Sequence, residues 1–395
     1  MKLNIYLLFF FSLFTCITSA QEERKRPDFT LKGTFIGKHA HVIFLNYKDD
    51  NGKKIERKAY IKNGMFSFRG FISSPIYGGL MSDIKLKPNG PDVSNYVDVF
   101  LSPGNMTIVL KENDFEHAVL TGSPAQDEWM KVLNLYKPVN KIRDSLQHKL
   151  FAIERSGNTP KNHIAHMAVA AEIDKYNLQI NYIDYQYIIS HPQSYVSANL
   201  LHSFIGTDMR LDSIEMAYNM LSPSVKKSVD GREISKVIVN RKASIVGSFV
   251  RMPLGTNMDG SRFNPQTFKI SNYLLIYFWA GWANDNADLK VVYNKYQSRG
   301  LKILAVSTEP FKKMWRDSVK KERIGMWCNI FSDPVANLDT FYNIREMAPS
   351  LVLLIDKNHR IIGRYRGRNK FYKMDYDEEP LAALERKLAE ISIDK

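Results

Sequence analysis

The sequence predicts a multidomain protein with an N-terminal β-sandwich, a helical middle region and a C-terminal α/β domain. Three observations predict it. Short alternating apolar stretches broken by turn residues run from Phe29 to about Leu120, helical spacing takes over from Gln126 to about Ala243, and from Gly247 continuous apolar strands alternate with helical patterns. The chain has 395 residues, more than one ordinary domain of roughly 100–200 residues. Hydrophobic residues at 44% and charged residues at 24% exclude a disordered chain.

Residues 1–20 read as a signal peptide: Lys2 precedes an apolar run from Tyr6 to Phe14, and Thr18-Ser19-Ala20 supplies small residues for cleavage. Cleavage after Ala20 would start the mature chain at Gln21. The alternative is lipidation at Cys16, because Leu13-Phe14-Thr15-Cys16 loosely follows a lipoprotein box. Export to the periplasm or cell envelope is expected, with no later transmembrane segment. The one other cysteine is Cys328, so no internal disulfide is expected after cleavage at Ala20, and Cys328 is expected to be a buried small hydrophobe. The formal charge of +14 is spread along the chain, which argues against nucleic acid as a partner. Two local concentrations, Lys312, Lys313, Arg316, Lys320, Lys321 and Arg323, and Arg360, Arg364, Arg366 and Arg368, are expected to be solvated faces.

In the first region Asp49-Asp50-Asn51-Gly52 is a turn, Asn63-Gly64 between Lys58–Ile61 and Met65–Phe68 is a hairpin signal, and Tyr96–Leu101 with Met106–Leu110 suggests a further pair. The order Phe29-Thr30-Leu31-Lys32-Gly33, Ile61-Lys62-Asn63-Gly64-Met65-Phe66, Phe100-Leu101-Ser102-Pro103-Gly104 and Leu120-Thr121-Gly122-Ser123 resembles DUF4369, a domain of unknown function common in exported proteins of Bacteroidetes. That resemblance implies a β domain over residues 27–125, followed in the family by a thioredoxin-like domain. Residues 126–245 form a helical connector in which Trp129, Val132, Leu133 and Tyr136 share one helix face. His163 and His166 also share a face, but they lack a third ligand, and no metal is expected there.

Residues 246–395 carry the third domain. Tyr273–Trp279 is a central strand, Leu301–Ser307 the next, and Ser350–Asp356 and Arg360–Tyr365 form an antiparallel hairpin before a closing helix. Phe278-Trp279-Ala280-Gly281-Trp282, Ala348-Pro349-Ser350 and Leu354-Ile355-Asp356, with Trp315 and Trp327, resemble exported thioredoxin-like proteins of the thiol-disulfide oxidoreductase and peroxiredoxin-like group. The resemblance implies a thioredoxin-like fold. It also implies a Cys-x-x-Cys after the second tryptophan, where this chain has Ala283-Asn284-Asp285-Asn286. Alanine offers no nucleophile and asparagine no resolving thiol, so no catalytic residue and no cofactor is expected there. Asn284 and Asp285 suit a helix N-cap. What the family pattern retains is a substrate groove at Trp282, Ala348 and Pro349, so the expected role is a redox-inactive envelope module binding an extended peptide or envelope protein. The alternative is a thiol-disulfide oxidoreductase-family enzyme of periplasmic redox homeostasis acting through Cys328 or an unrecognised site.

Overall fold

The computed structural model describes residues 28–84, 94–157, 159–206, 209–282, 284–333, 341–342, 344, 350–366 and 380–393. The expected signal peptide, Cys16 and Arg368 lie outside the described residues. No helix among the described residues is long and apolar enough to cross a membrane.

The first part contains strands β1 (Phe29–Ile36), β2 (Val42–Lys48), β3 (Lys54–Tyr60), β4 (Met65–Gly70), β5 (Ile76–Ser82), β6 (Tyr96–Leu101), β7 (Gly104–Lys111) and β8 (Val119–Thr121). They form two four-stranded sheets, ordered β4-β1-β7-β8 and β3-β2-β5-β6. Both sheets contribute to one core: Leu31, Phe66 and Ile108 come from the first, and Ile43, Leu45 and Leu80 from the second. The alternating burial of β1, β2 and β4 gives each strand one face for that core.

The turn signals are correct but two of the expected strand pairs are not. Asn63 and Gly64 adopt φ of 52° and 71°, the left-handed conformation that a two-residue hairpin turn requires. Yet β3 pairs with β2 and β4 with β1, so the chain crosses from one sheet to the other at this turn. In the same way β6 pairs with β5 while β7 pairs in parallel with β1. Local pattern records which residues face a core, and both sheets face the same one, so sequence alternation does not distinguish them.

The middle is helical, with α1 (Pro124–Arg155), α2 (Pro160–Ser190), α3 (Tyr195–Ser203), α4 (Leu211–Met220), α5 (Pro223–Lys226) and α6 (Val229–Lys242). Ser123, Thr159, Ser194, Ser222 and Ser228 head five of these helices, each accepting a backbone N–H that the first turn would leave unpaired. The helices and the β sheets share apolar contacts. Phe100, on β6, lies with its ring 5.8 Å from Trp129 of α1 and 5.5 Å from Tyr77 of β5, and Val229 of α6 joins the core between the sheets. Arg232 of α6 also donates to the Asp50 carbonyl in the β2–β3 turn.

The last part holds β9 (Gly255–Asn257), β10 (Tyr273–Trp279), α7 (Asn286–Tyr296), β11 (Leu301–Ser307), α8 (Lys312–Lys321), β12 (Cys328–Ser332), β13 (Leu351–Asp356), β14 (Ile361–Arg366) and α9 (Pro380–Ile393). The six strands form one mixed sheet in the order β14-β13-β10-β11-β12-β9. Apolar clusters cover both of its faces. Of the expected solvated arginines, Arg360 is exposed but Arg364 is otherwise engaged. Arg364 donates to the Tyr342 carbonyl and lies deep enough that burial pulls its guanidinium down to about 10. Arg360 stacks on Phe249 at 4.2 Å and donates to the Gly247 carbonyl, tying the segment after α6 to the edge of β14.

Phe100 is 1% exposed and belongs to the core of the helical region although it stands on a strand. Phe100→Ala should therefore cost about 3–5 kcal/mol and weaken the β sheets and the helices together. Chemical denaturation followed by both tryptophan fluorescence and circular dichroism should show one transition at a lower midpoint; an unshifted midpoint would contradict this role.

Candidate functional site

Strand β10 positions the site. It pairs in parallel with β11 and antiparallel with β13, and every residue from Leu274 to Trp279 is buried. Its chain continues through Ala280 and Gly281 to Trp282, which is 45% exposed, and α7 begins at Asn286. Gly281 is required by close packing: a Cβ there would lie 2.5 Å from the Ser318 hydroxyl and 2.9 Å from Glu309 Oε1. Its N–H donates to that same oxygen at 2.8 Å, and the Ser318 hydroxyl donates to it at 3.1 Å. Glu309 is buried, and its Oε2 has no partner among the described residues.

Below the start of α7 lies a second buried polar group. The Asp285 N–H donates to the Tyr277 hydroxyl at 2.7 Å, and the Ser350 hydroxyl donates to Asp285 Oδ2. Tyr277 is fully buried, and burial, with the Asp285 carboxylate adding to it, raises its phenol well above the usual range. The phenol therefore stays neutral and serves as a hydrogen-bonding post. Ser350 immediately precedes β13, so this group ties the turn after β10 to the entry of the neighbouring strand.

The expected capping role is only half correct. Asp285 occupies the N-cap position of α7, but its carboxylate makes no capping bond and is turned to Ser350 instead. Asn284 does the local work: its amide nitrogen donates to the Gly281 carbonyl at 3.0 Å and its oxygen accepts the Asn286 N–H at 3.4 Å. Asn286 is fully buried with neither amide atom partnered among the described residues. Of the residues expected at this site, Ala283, Ala348 and Pro349 lie outside the described residues. Tyr277, Glu309 and Ser350 were not anticipated. The available signal was a phenol inside an otherwise apolar strand and a carboxylate two residues beyond the end of another.

Cys328 is half-buried rather than buried, and burial raises its thiol pKa, the direction that lowers thiolate content. It pairs with Leu304, while Ser307 pairs with Trp279. At about 3.3 Å per residue, Cys328 sits roughly 10 Å back along the sheet from the end of β10, and two strands across. His166 Nε2 donates to Glu154 Oε1 at 3.1 Å, and among the described residues His163 and His166 belong to no group of three metal-ligating side chains.

Asp285→Ala should leave the Ser350 hydroxyl buried without its acceptor, at a cost of about 1–3 kcal/mol, whereas Asp285→Asn keeps an acceptor oxygen and should cost less. Urea denaturation of the two variants checks this; equal, negligible losses would remove the buried tie from the account.

Residues 29–129 match the family described as domain of unknown function DUF4369. No functionally curated protein matches the chain. Among solved structures, the thioredoxin domain of a thiol-disulfide oxidoreductase from Bacteroides vulgatus is 19% identical, with 36% of this chain and 97% of that one covered and a TM-score of 0.30. A thiol:disulfide interchange protein from Bacteroides sp. is 16% identical, covering 37% and 89%, with a TM-score of 0.30. A thiol-disulfide oxidoreductase from Bacteroides fragilis is 20% identical, covering 36% and 99%, with a TM-score of 0.28. The chain thus carries a DUF4369 domain at residues 29–129, and its structural neighbours include thioredoxin-like domains of Bacteroides thiol-disulfide oxidoreductases.

Proposed function

We propose that this chain is an exported cell-envelope protein whose C-terminal part is a thioredoxin-like module that binds an extended peptide or protein segment without covalent capture. The observation that carries the reading is the composition of the turn after β10. Residues 283–286 are Ala-Asn-Asp-Asn, with no thiol to attack or resolve a disulfide. The strand and helix order from β10 to α9, with the Phe278-Trp279-Ala280-Gly281-Trp282 motif at a strand end, supports the thioredoxin-like assignment. Trp282 supports the binding role. It is a large apolar ring left in solvent beside a turn whose backbone is held from below by Glu309 and Tyr277. Aromatic side chains on rigid backbone make effective anchors because little conformational freedom is lost on contact. Ala348 and Pro349 would form the other wall, offering backbone groups to an added strand.

The oxidoreductase reading through Cys328 is disfavoured by that residue's raised pKa and by its place away from the end of β10. The signal-peptide pattern of residues 1–20 supports export.

Two measurements test the proposal together. The protein should reduce insulin disulfides no faster than its Cys328→Ser variant in the presence of dithiothreitol. Trp282→Ala should weaken binding to extended peptides selected on a peptide array at least tenfold, with the thermal midpoint unchanged. Reductase activity lost in Cys328→Ser, or peptide affinity indifferent to Trp282→Ala, would overturn it.

A further inference from the structure

A separate polar cluster lies where the β sheets meet the helices, remote in sequence from the turn after β10. A cleft of about 780 Å³ opens between the outer face of the β3-β2-β5-β6 sheet and helices α3 and α6. Gly78 and Gly79 leave part of its floor without side chains, Tyr77 and Tyr96 line it, and His202 and Asp230 reach it from the helices. This is within the size range of ligand sites, roughly 300–1,000 Å³. At its helical end His202 of α3 and Asp230 and Glu233 of α6 bring their ligand atoms within 4.8 Å of one another. Asp230 and Glu233 are three apart and so share one helix face.

We infer that His202, Asp230 and Glu233 form a divalent transition-metal site of the three-ligand kind, with its remaining coordination position open to the cleft. One imidazole and two carboxylates match the donor set of open zinc sites, in which water or ligand completes the shell. The outer partners are in place. The Asn199 amide donates to Asp230 Oδ2 at 3.2 Å, orienting the carboxylate as ligating carboxylates are commonly oriented. Without a metal, Glu233 Oε2 receives Lys48 at 2.6 Å and His202 Nε2 at 2.8 Å. Asp230 makes no ion pair among the described residues, although His202 and Lys48 both lie near it. Its described hydrogen-bond donor, the Asn199 amide, is neutral. A dication would neutralise that half-buried acid. It would take the His202 Nε2 lone pair, with the ring proton on Nδ1, and release Lys48 from Glu233 toward the cleft, where Lys48 already lines the wall.

The second described group of this type, Asp114, Glu116 and His117, supplies an internal control, because two of its three members are exposed. The test is calorimetric titration of the chelator-treated full chain with Zn²⁺, repeated with Mg²⁺, and with His202→Gln, Asp230→Asn and His117→Gln. One Zn²⁺ per chain should bind with micromolar or tighter affinity and Mg²⁺ at least tenfold more weakly. His202→Gln and Asp230→Asn should each weaken Zn²⁺ at least tenfold, and His117→Gln should change it less than twofold. Circular dichroism melts in excess chelator should give both cleft variants a cooperative transition, so that lost binding is not lost folding. Absent binding, binding unchanged in both cleft variants, or binding lost in His117→Gln would overturn the site and leave a structural ion-pair network between β2 and α6.

Discussion

The C-terminal sheet depends on the burial of β10 on both of its faces. A strand in that position has no polar side to turn outward, and Leu274–Trp279 accordingly form an unbroken buried run between two apolar clusters. Its end must therefore emerge abruptly from the core into solvent. The exposed Trp282 stands three residues beyond the fully buried Trp279. Holding such a turn needs hydrogen bonds, and Glu309, Asn284, Tyr277 and Ser350 provide them. A thiol pair would have to work within this same frame, which is built here by a carboxylate, an amide, a phenol and a hydroxyl.

The β sheets and the helices of the middle region pack on one another through shared apolar cores. Phe100 and Tyr77 extend the helical core onto the sheet, and Val229 extends the sheet core into α6. Ring contacts among Tyr77, Phe100, Trp129 and Tyr136 run from β5 into α1. Aromatic pairs of this kind add about 0.5–1.5 kcal/mol each beyond the area they bury. The cleft with His202, Asp230 and Glu233 lies along this same junction, so that whatever occupies it also bears on how the two parts hold together.

Much of this architecture was legible in the sequence. Strands β10, β11 and β13 declared themselves as apolar runs, the Asn63-Gly64 turn as a pair suited to positive φ, and α1 by the spacing of Trp129, Val132 and Tyr136. Sheet membership was not legible, because local pattern marks only which residues face a core, and both sheets face the same one. β12 was missed because it is short and begins at Cys328, half-buried and paired only by its neighbours. The polar groups of both candidate sites were missed for a common reason. Asp285 meets Ser350 across 65 positions and Lys48 meets Glu233 across 185, and no local pattern records such separations.

Restoring the thiols tests directly the thioredoxin-like shape proposed for the turn after β10. Ala283→Cys with Asn286→Cys, made in a Cys328→Ser background, places cysteines three apart at the start of α7. A disulfide tolerates a Cα separation of roughly 4.4–6.8 Å. Mass spectrometry after mild oxidation should find these two cysteines bridged within one chain, as the account requires. Two free thiols in a protein that still melts cooperatively would contradict it.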